Sequence, residues 1–240
     1  PFLSTKLVSK KYNSIDSPYD YGEVLHTGYV DTALLLEKYR EYLIANNLLL
    51  QEAFDYDQIE FLDSGIQYKN IQARHVIFAE GFGLHKNPFF NDLPLDGTKG
   101  ELFVIRAVGL DLDVIVNTSV FILPLGNDLF KVGATYNWKD KTDVPTEEAK
   151  QELLERIREI ITCEFEIVEH FAGVRPTVKD RRPLVGTHYG HKNLHILNGL
   201  GTRGVMLGPA MAKALFENIE NEIPLDGEIN IERFYKKKNK

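Results

Sequence analysis

Close to its carboxy terminus the chain carries Gly199-Leu200-Gly201-Thr202-Arg203-Gly204, a G-x-G-x-x-G string. It lies between the apolar run Leu194-His195-Ile196-Leu197 and a helix predicted over 206–219. Glycines at these positions let the backbone turn sharply and approach a ligand. The free amides and positive end of the following helix favour an electron-rich oxygen. A dinucleotide fold needs more chain after such a turn: a further strand, its connection and an acid for the ribose. Only about 20 residues follow the helix, and 228–231 is the one short candidate strand. A late NAD site is therefore disfavoured, and the turn calls for another partner or for none.

The rest of the chain supplies a mixed architecture. Leu35, Tyr39, Tyr42 and Leu43 fall at helical spacing in 31–47, with Asp31 or Thr32 as the N-cap. Residues 59–62 and 66–68 flank Asp63-Ser64-Gly65 as a hairpin, and 75–79 reads as a core strand ending at Glu80-Gly81-Phe82-Gly83. Strands are predicted over 101–108, 114–116, 119–123 and 129–135, with Gly126-Asn127-Asp128 as the clearest turn. Thr146, Glu147 and Glu148 start a second helix whose stripe is Ala149, Leu153, Ile157, Ile160 and Ile161. Further strands are expected over 166–174 and 193–197, then the helix 206–219 with Ala212, Leu215, Phe216 and Ile219 on one side. Without a regular βαβα rhythm, the expected class is α+β: a mixed, largely antiparallel sheet with helices on one face.

Composition narrows the function. At 240 residues and 43% apolar content the chain can bury a full core. Net charge is −7, and the only dense basic run is the tail at 236–240, so nucleic acid is excluded as a partner. One cysteine, Cys163, excludes an internal disulfide, and no apolar run approaches the roughly 20 residues that span a bilayer. A soluble, cytoplasmic protein with a small-molecule substrate is expected; oligomeric state is not legible. The only methionines are Met206 and Met211, so an upstream segment is expected to be missing.

Three strings carry a resemblance: Phe171-Ala172-Gly173-Val174-Arg175-Pro176, Asp180-Arg181-Arg182-Pro183-Leu184-Val185-Gly186, and the glycine turn with Gly208-Pro209. In order and spacing they resemble the carboxy-terminal signature of the D-amino-acid oxidase and glycine oxidase family. Upstream, Val76-Ile77-Phe78-Ala79-Glu80-Gly81, Gly28-Tyr29-Val30-Asp31 and Val132-Gly133-Ala134-Thr135 resemble that family's other recurrent strings. The resemblance implies a substrate-binding domain over 1–58 and 82–172, and the remaining part of a FAD/NAD(P)-binding-type domain over 59–81 and 173–240. The family's amino-terminal strand, glycine loop and helix, which cradle the FAD pyrophosphate, have no counterpart here. Weak or absent FAD binding by these residues alone is expected.

By the same resemblance, Gly81, Gly173, Gly199, Gly201, Thr202, Arg203, Gly204 and Val205 would bind the cofactor. The late turn would face the flavin ring, its amides stabilising negative charge at the pyrimidine side. Arg175 would clamp the substrate carboxylate through two parallel hydrogen bonds, which a lysine does not reproduce. Arg203 matches a second arginine near the substrate. Phe121 stands where glycine oxidases place a tyrosine hydroxyl, which points away from glycine and toward a larger or less polar amine. Glu80 is a second departure, without explanation in the sequence. The implied function is FAD-dependent oxidation of the C–N bond of an amino acid or secondary amine. The alternative is a non-catalytic amino-acid-binding module derived from the family. Other residues have plainer readings: Arg175 paired with Asp180 or Glu169, and His188, His191 and His195 without the acid or cysteine that would complete a metal site. Cys163 reads as a small core hydrophobe.

Overall fold

The structure, a computed structural model, describes residues 2–9 and 11–235; the basic run at 236–240 lies outside them. In chain order the elements begin with β1 (Leu3–Val8), β2 (Tyr21–Val24), α1 (Thr32–Ala45), β3 (Ile59–Leu62), β4 (Gly65–Tyr68), β5 (Ile71–Ala73) and β6 (Val76–Phe78). The middle of the chain forms β7 (Leu95–Arg106), β8 (Val116–Asn117), β9 (Phe121–Gly126), β10 (Leu129–Gly133) and α2 (Glu147–Arg158). Last come β11 (Glu166–Val178), β12 (Leu184–Thr187), β13 (Leu194–Asn198), α3 (Gly204–Asn221) and α4 (Glu232–Tyr235). These form two compact units, Pro1–Thr27 with Gly97–Arg175, and Gly28–Asp96 with Pro176–Lys240. The division by function drawn from the sequence cuts the chain elsewhere and is taken up below as a proposal.

The first unit is built on a five-stranded sheet of order β11-β7-β10-β9-β8, antiparallel along β7, β10, β9 and β8. Gly126, Asn127 and Asp128 all take positive φ, so the expected turn joins β9 to β10. One face packs Phe103, Ile105, Ile122 and Val132 against Leu153 and Ile157 of α2. Thr146 caps that helix by accepting from the Ala149 amide. Burying each such side chain contributes about 1.5–3 kcal/mol, so this contact fixes how α2 lies on the sheet.

Strand β7 starts at Leu95, six residues before the strand predicted at 101. The reason is Lys99, fully buried and compensated by Asp140 at 2.6 Å and Glu101 at 3.4 Å. Glu101 in turn accepts from the Thr146 amide and hydroxyl ahead of α2. The hairpin of β1 and β2 was also not expected from the sequence.

The second unit holds two three-stranded sheets. Strands β3, β4 and β5 form an antiparallel meander that includes the expected hairpin, Ile59 opposite Tyr68. In the other sheet, of order β12-β13-β6, β13 runs antiparallel to β12 and parallel to β6. Ile66, Phe78, Leu84, Phe90, Leu184, Leu194 and Ile196 form its core. The candidate strand 228–231 makes a single parallel bridge, Asn230 beside Val185, and leads into α4.

Both long helices of this unit correct the sequence reading of their faces. Asp31 caps α1 as expected, accepting from the Leu34 amide at 3.0 Å, yet no residue of α1 is buried. In α3 Leu215 alone is buried and Met211, Ala214 and Ile219 are half-buried, while Ala212 and Phe216 are exposed. The apolar positions of α3 extend around more than one side, so spacing alone did not choose the face that Leu215 anchors. Among the described residues no helix is long and apolar enough to cross a membrane.

Candidate functional site

Because β6 and β13 are parallel neighbours, the glycine turns that follow them leave the sheet at the same end. The carboxyl ends of parallel strands are where open α/β sheets receive ligands. Gly81, Gly199 and Gly201 have φ of 58°, 69° and 58°, a conformation costly for other residues. Asn198 joins the two turns: its Nδ2 donates to the Gly81 carbonyl at 2.9 Å, and its Oδ1 accepts from the Gly199 amide at 2.7 Å. A single 3₁₀ turn over Gly201–Arg203 then leads into α3. Neither Leu200 nor Arg203 caps these starts with a side chain. The first amides of a helix have no acceptor within it, so the start of α3 presents donors and a partial positive charge. Thr202, Arg203 and Val205 are exposed there, and Gly204 is half-buried.

Glu80, unexplained in the sequence, is held beside this end of the sheet. Its carboxylate accepts from the Tyr56 hydroxyl in a very short contact and from Asn87 Nδ2 at 2.8 Å. Burial, then this carboxylate, pushes the Tyr56 phenol well above its ordinary range, so it stays a donor. Asn87 is itself fully buried and accepts from the Phe89 amide. The acid is thus part of the scaffold that fixes residue 80 ahead of the Gly81 turn.

In the first unit, Arg175 lies on β11 with its guanidinium half-buried. It donates to the Thr135 carbonyl at 3.4 Å and sits 4.7 Å from the centre of the Tyr136 ring. Among the described residues no carboxylate pairs with it. Asp180, one partner considered from the sequence, instead accepts from Arg233 Nε at 2.9 Å. Burial pulls the guanidinium below its ordinary pKa, with Tyr136 opposing the shift. Arginine remains charged under such shifts, so this is a half-buried cation short of an anion. Gly100 on β7 makes room for it, since a Cβ there would stand 2.0 Å from either terminal nitrogen.

Phe121 converges on the same stretch of chain. It is paired with Gly133 in the sheet, and a Cβ on Gly133 would stand 3.4 Å from its ring. Thr135, two residues further on, is buried and bonded to Glu101 through both its amide and its hydroxyl, which fixes the carbonyl that Arg175 meets. Gly173 has open space where a Cβ would stand. The sequence-predicted residues therefore fall into two groups: Phe121, Gly173 and Arg175 in the first unit, and Gly81 and the 199–205 turn in the second. Gly100, Tyr136 and Asn198 were missed. Tyr136 and Asn198 each lie one residue beyond a string that was recognised, and Gly100 immediately precedes the strand predicted at 101.

The histidines have other work. His195 is buried and bonded to His75 at 3.0 Å and Thr187 at 2.9 Å; burial, then His75, pushes its pKa down to about 4. His188 and His191 line a cavity of about 790 Å³ with Phe61, Tyr189 and Tyr235, and His191 stacks on Phe61 at 4.2 Å. That cavity sits at the amino end of β13, opposite the glycine turns. Among the described residues no group of three or more His, Cys, Asp or Glu side chains could hold a metal. Cys163 is half-buried against the first unit's core.

The chain belongs to the DAO family of FAD dependent oxidoreductases, whose model matches residues 5–218. It is 22% identical over 222 residues to glycine oxidase of Bacillus subtilis (strain 168), covering 85% of this chain and 60% of that protein. It is 25% identical over 187 residues to the tRNA 5-methylaminomethyl-2-thiouridine biosynthesis bifunctional protein MnmC of Marinobacter nauticus, covering 69% of this chain and 30% of that protein. Among solved structures, iminodiacetate oxidase (IdaA) from Chelativorans sp. BNC1 superposes with a TM-score of 0.76 at 21% identity, covering 90% of this chain and 63% of that one. The chain thus spans less than two thirds of the length of these relatives. Residues of the second unit are compatible with the family's cofactor: no side chain caps the start of α3, and a Cβ on Gly81 would meet no atom within 4 Å.

Proposed function

We propose that the chain supplies the substrate-holding sheet and the late glycine turn of a FAD-linked oxidase acting on the C–N bond of an amino acid or secondary amine. The observation that carries this reading is the half-buried Arg175 guanidinium without a carboxylate partner among the described residues. Thr135 and Tyr136 hold it in one orientation, and a planar guanidinium so held receives a carboxylate through two parallel hydrogen bonds. Phe121 packs against the apolar part of the substrate and offers it no hydrogen bond. Amides around Thr202, Gly204 and Val205 would hold the electron-rich edge of the cofactor, the Arg203 amide being already bonded to the Leu200 carbonyl, with Gly81, Gly173, Gly199 and Gly201 allowing its approach. Arg203 adds positive charge beside the turn. FAD, when bound, supplies the acceptor for the electron pair leaving the substrate carbon.

On this reading, residues 1–58 and 82–172 form the substrate-binding domain, and 59–81 and 173–240 the remaining part of the FAD-binding domain, which contributes Arg175 to the substrate. The name of the structural relative iminodiacetate oxidase fits the substrate class, since iminodiacetate is a secondary amine bearing carboxylates. The test is a thermal-shift panel of amino acids and carboxylate-bearing secondary amines, with and without FAD, followed by turnover measurements on the ligands that bind. Stabilisation that disappears in Arg175→Met, together with FAD-dependent oxidation, supports the proposal. Stabilisation without flavin and without turnover in its presence would favour a binding module. No response to any carboxylate would sink the proposal. The same titration reads how tightly the 240-residue chain holds FAD.

A further inference from the structure

We infer that Asn198 is the positioning residue that sets the spacing between the two glycine turns, and that this spacing, more than either turn alone, determines how a flavin is held. The flavin part rests on the reading proposed above. Asn198 is 3% exposed and sits at the carboxyl end of β13. Its amide group uses both functions at once, donating to the carbonyl of Gly81 and accepting from the amide of Gly199. Those partners are 117 residues and 1 residue away in sequence, so one side chain ties a distant turn to its own.

The two turns are packed unequally, Gly199 tightly against Val178 and Leu184 and Gly81 in open space, and Asn198 is the side chain that joins them. Gly81 and Gly199 sit at positive φ, and a Cβ on Gly81 would meet no atom within 4 Å. Glu80 is anchored by Tyr56 and Asn87 and its carbonyl accepts from the Gly83 amide, which fixes the chain around Gly81; Asn198 reaches the Gly81 carbonyl from the end of β13. No other side-chain type of this size donates to a carbonyl and accepts from an amide with planar geometry; aspartate accepts only, and leucine does neither. A buried asparagine whose two functions are both satisfied is also costly to disturb, which suits a spacer that must not drift.

The experiment compares Asn198→Asp and Asn198→Leu with the unaltered chain by hydrogen exchange, alongside FAD titration followed by flavin fluorescence. In Asn198→Asp the bond to the Gly81 carbonyl is lost while the acceptor for Gly199 is kept. Exchange at the Phe82 and Gly83 amides should therefore rise about tenfold with Gly199 still protected, the factor expected for one lost hydrogen bond. In Asn198→Leu both turns should loosen, with the core amides of Phe78 and Ile196 unchanged. Flavin affinity should fall about tenfold or more in both variants, and the flavin absorbance band should shift. Asn198→Asp turns that exchange as in the unaltered chain, or a uniform rise across the whole unit, would overturn the inference. Unchanged affinity and absorbance in variants with loosened turns would also overturn it. If the unaltered chain takes up no FAD, the flavin part of the inference fails for these residues taken alone, while the coupling itself is decided by the exchange pattern.

Discussion

Gly100 and Arg175 share one space: a Cβ on Gly100 would stand 2.0 Å from both terminal nitrogens of the guanidinium. The glycine is thus the cavity into which the arginine is folded. The group that would have to yield is the far end of a flexible side chain, so the sheet can keep its register while the guanidinium moves.

Gly100→Ala should accordingly leave the fold intact and displace the guanidinium. Melting should shift by no more than a few degrees, while affinity for carboxylate ligands should fall about tenfold or more, as for a lost charge-assisted hydrogen bond. Calorimetric titration checks this. A folded variant that binds as before would remove Arg175 from the substrate site.

Arg175→Lys keeps the charge but loses the parallel pair of donors and the stacking on Tyr136. A loss of about 1.5–3 kcal/mol, or about 10–150-fold in affinity, is expected for ligands bearing a carboxylate. Amines without one should bind the variant and the parent alike. Equal losses for both kinds of ligand would mean that the arginine acts through the fold.

Gly199→Ala and Gly81→Ala separate steric from conformational cost. Both glycines have positive φ, worth about 1–2 kcal/mol for an ordinary residue. Only at Gly199 would the Cβ also collide, with Val178 Cγ2 at 2.6 Å and the Leu184 amide nitrogen at 3.2 Å. Overpacking adds about 1–3 kcal/mol, so Gly199→Ala should be clearly the more destabilising in chemical denaturation. Equal effects would show that crowding behind Gly199 does not matter.

His195 makes stability depend on pH. Burial holds its folded-state pKa near 4, below the 6.5 of the free side chain. The native state therefore prefers the neutral ring: this stability is complete above pH 6.5 and is lost as pH falls from 6.5 towards 4. Over that window one proton gives a slope of up to about 1.4 kcal/mol per pH unit. His195→Gln should flatten the curve between those limits, as read from melting temperature against pH; an unchanged slope would assign the titration elsewhere.

Local spacing determined much of this molecule. The Asp31 cap of α1, the stripe of Ala149, Leu153 and Ile157 on α2, the turn at Gly126-Asn127-Asp128 and the hairpin over 59–68 were all legible, because each is set by residues a few positions apart. The glycine turn at 199–204 was legible for the same reason. Tertiary structure alone decided the rest. Lys99 belongs to a strand because Asp140 and Glu101 neutralise it; Glu80 is satisfied by Tyr56 and Asn87. Asn198 reaches Gly81 only because β6 and β13 lie parallel in register, and Arg175 meets Thr135 across 40 residues of sequence. A short-range pattern carries its own period, whereas a contact between distant segments exists only once strand register has brought them to the same place.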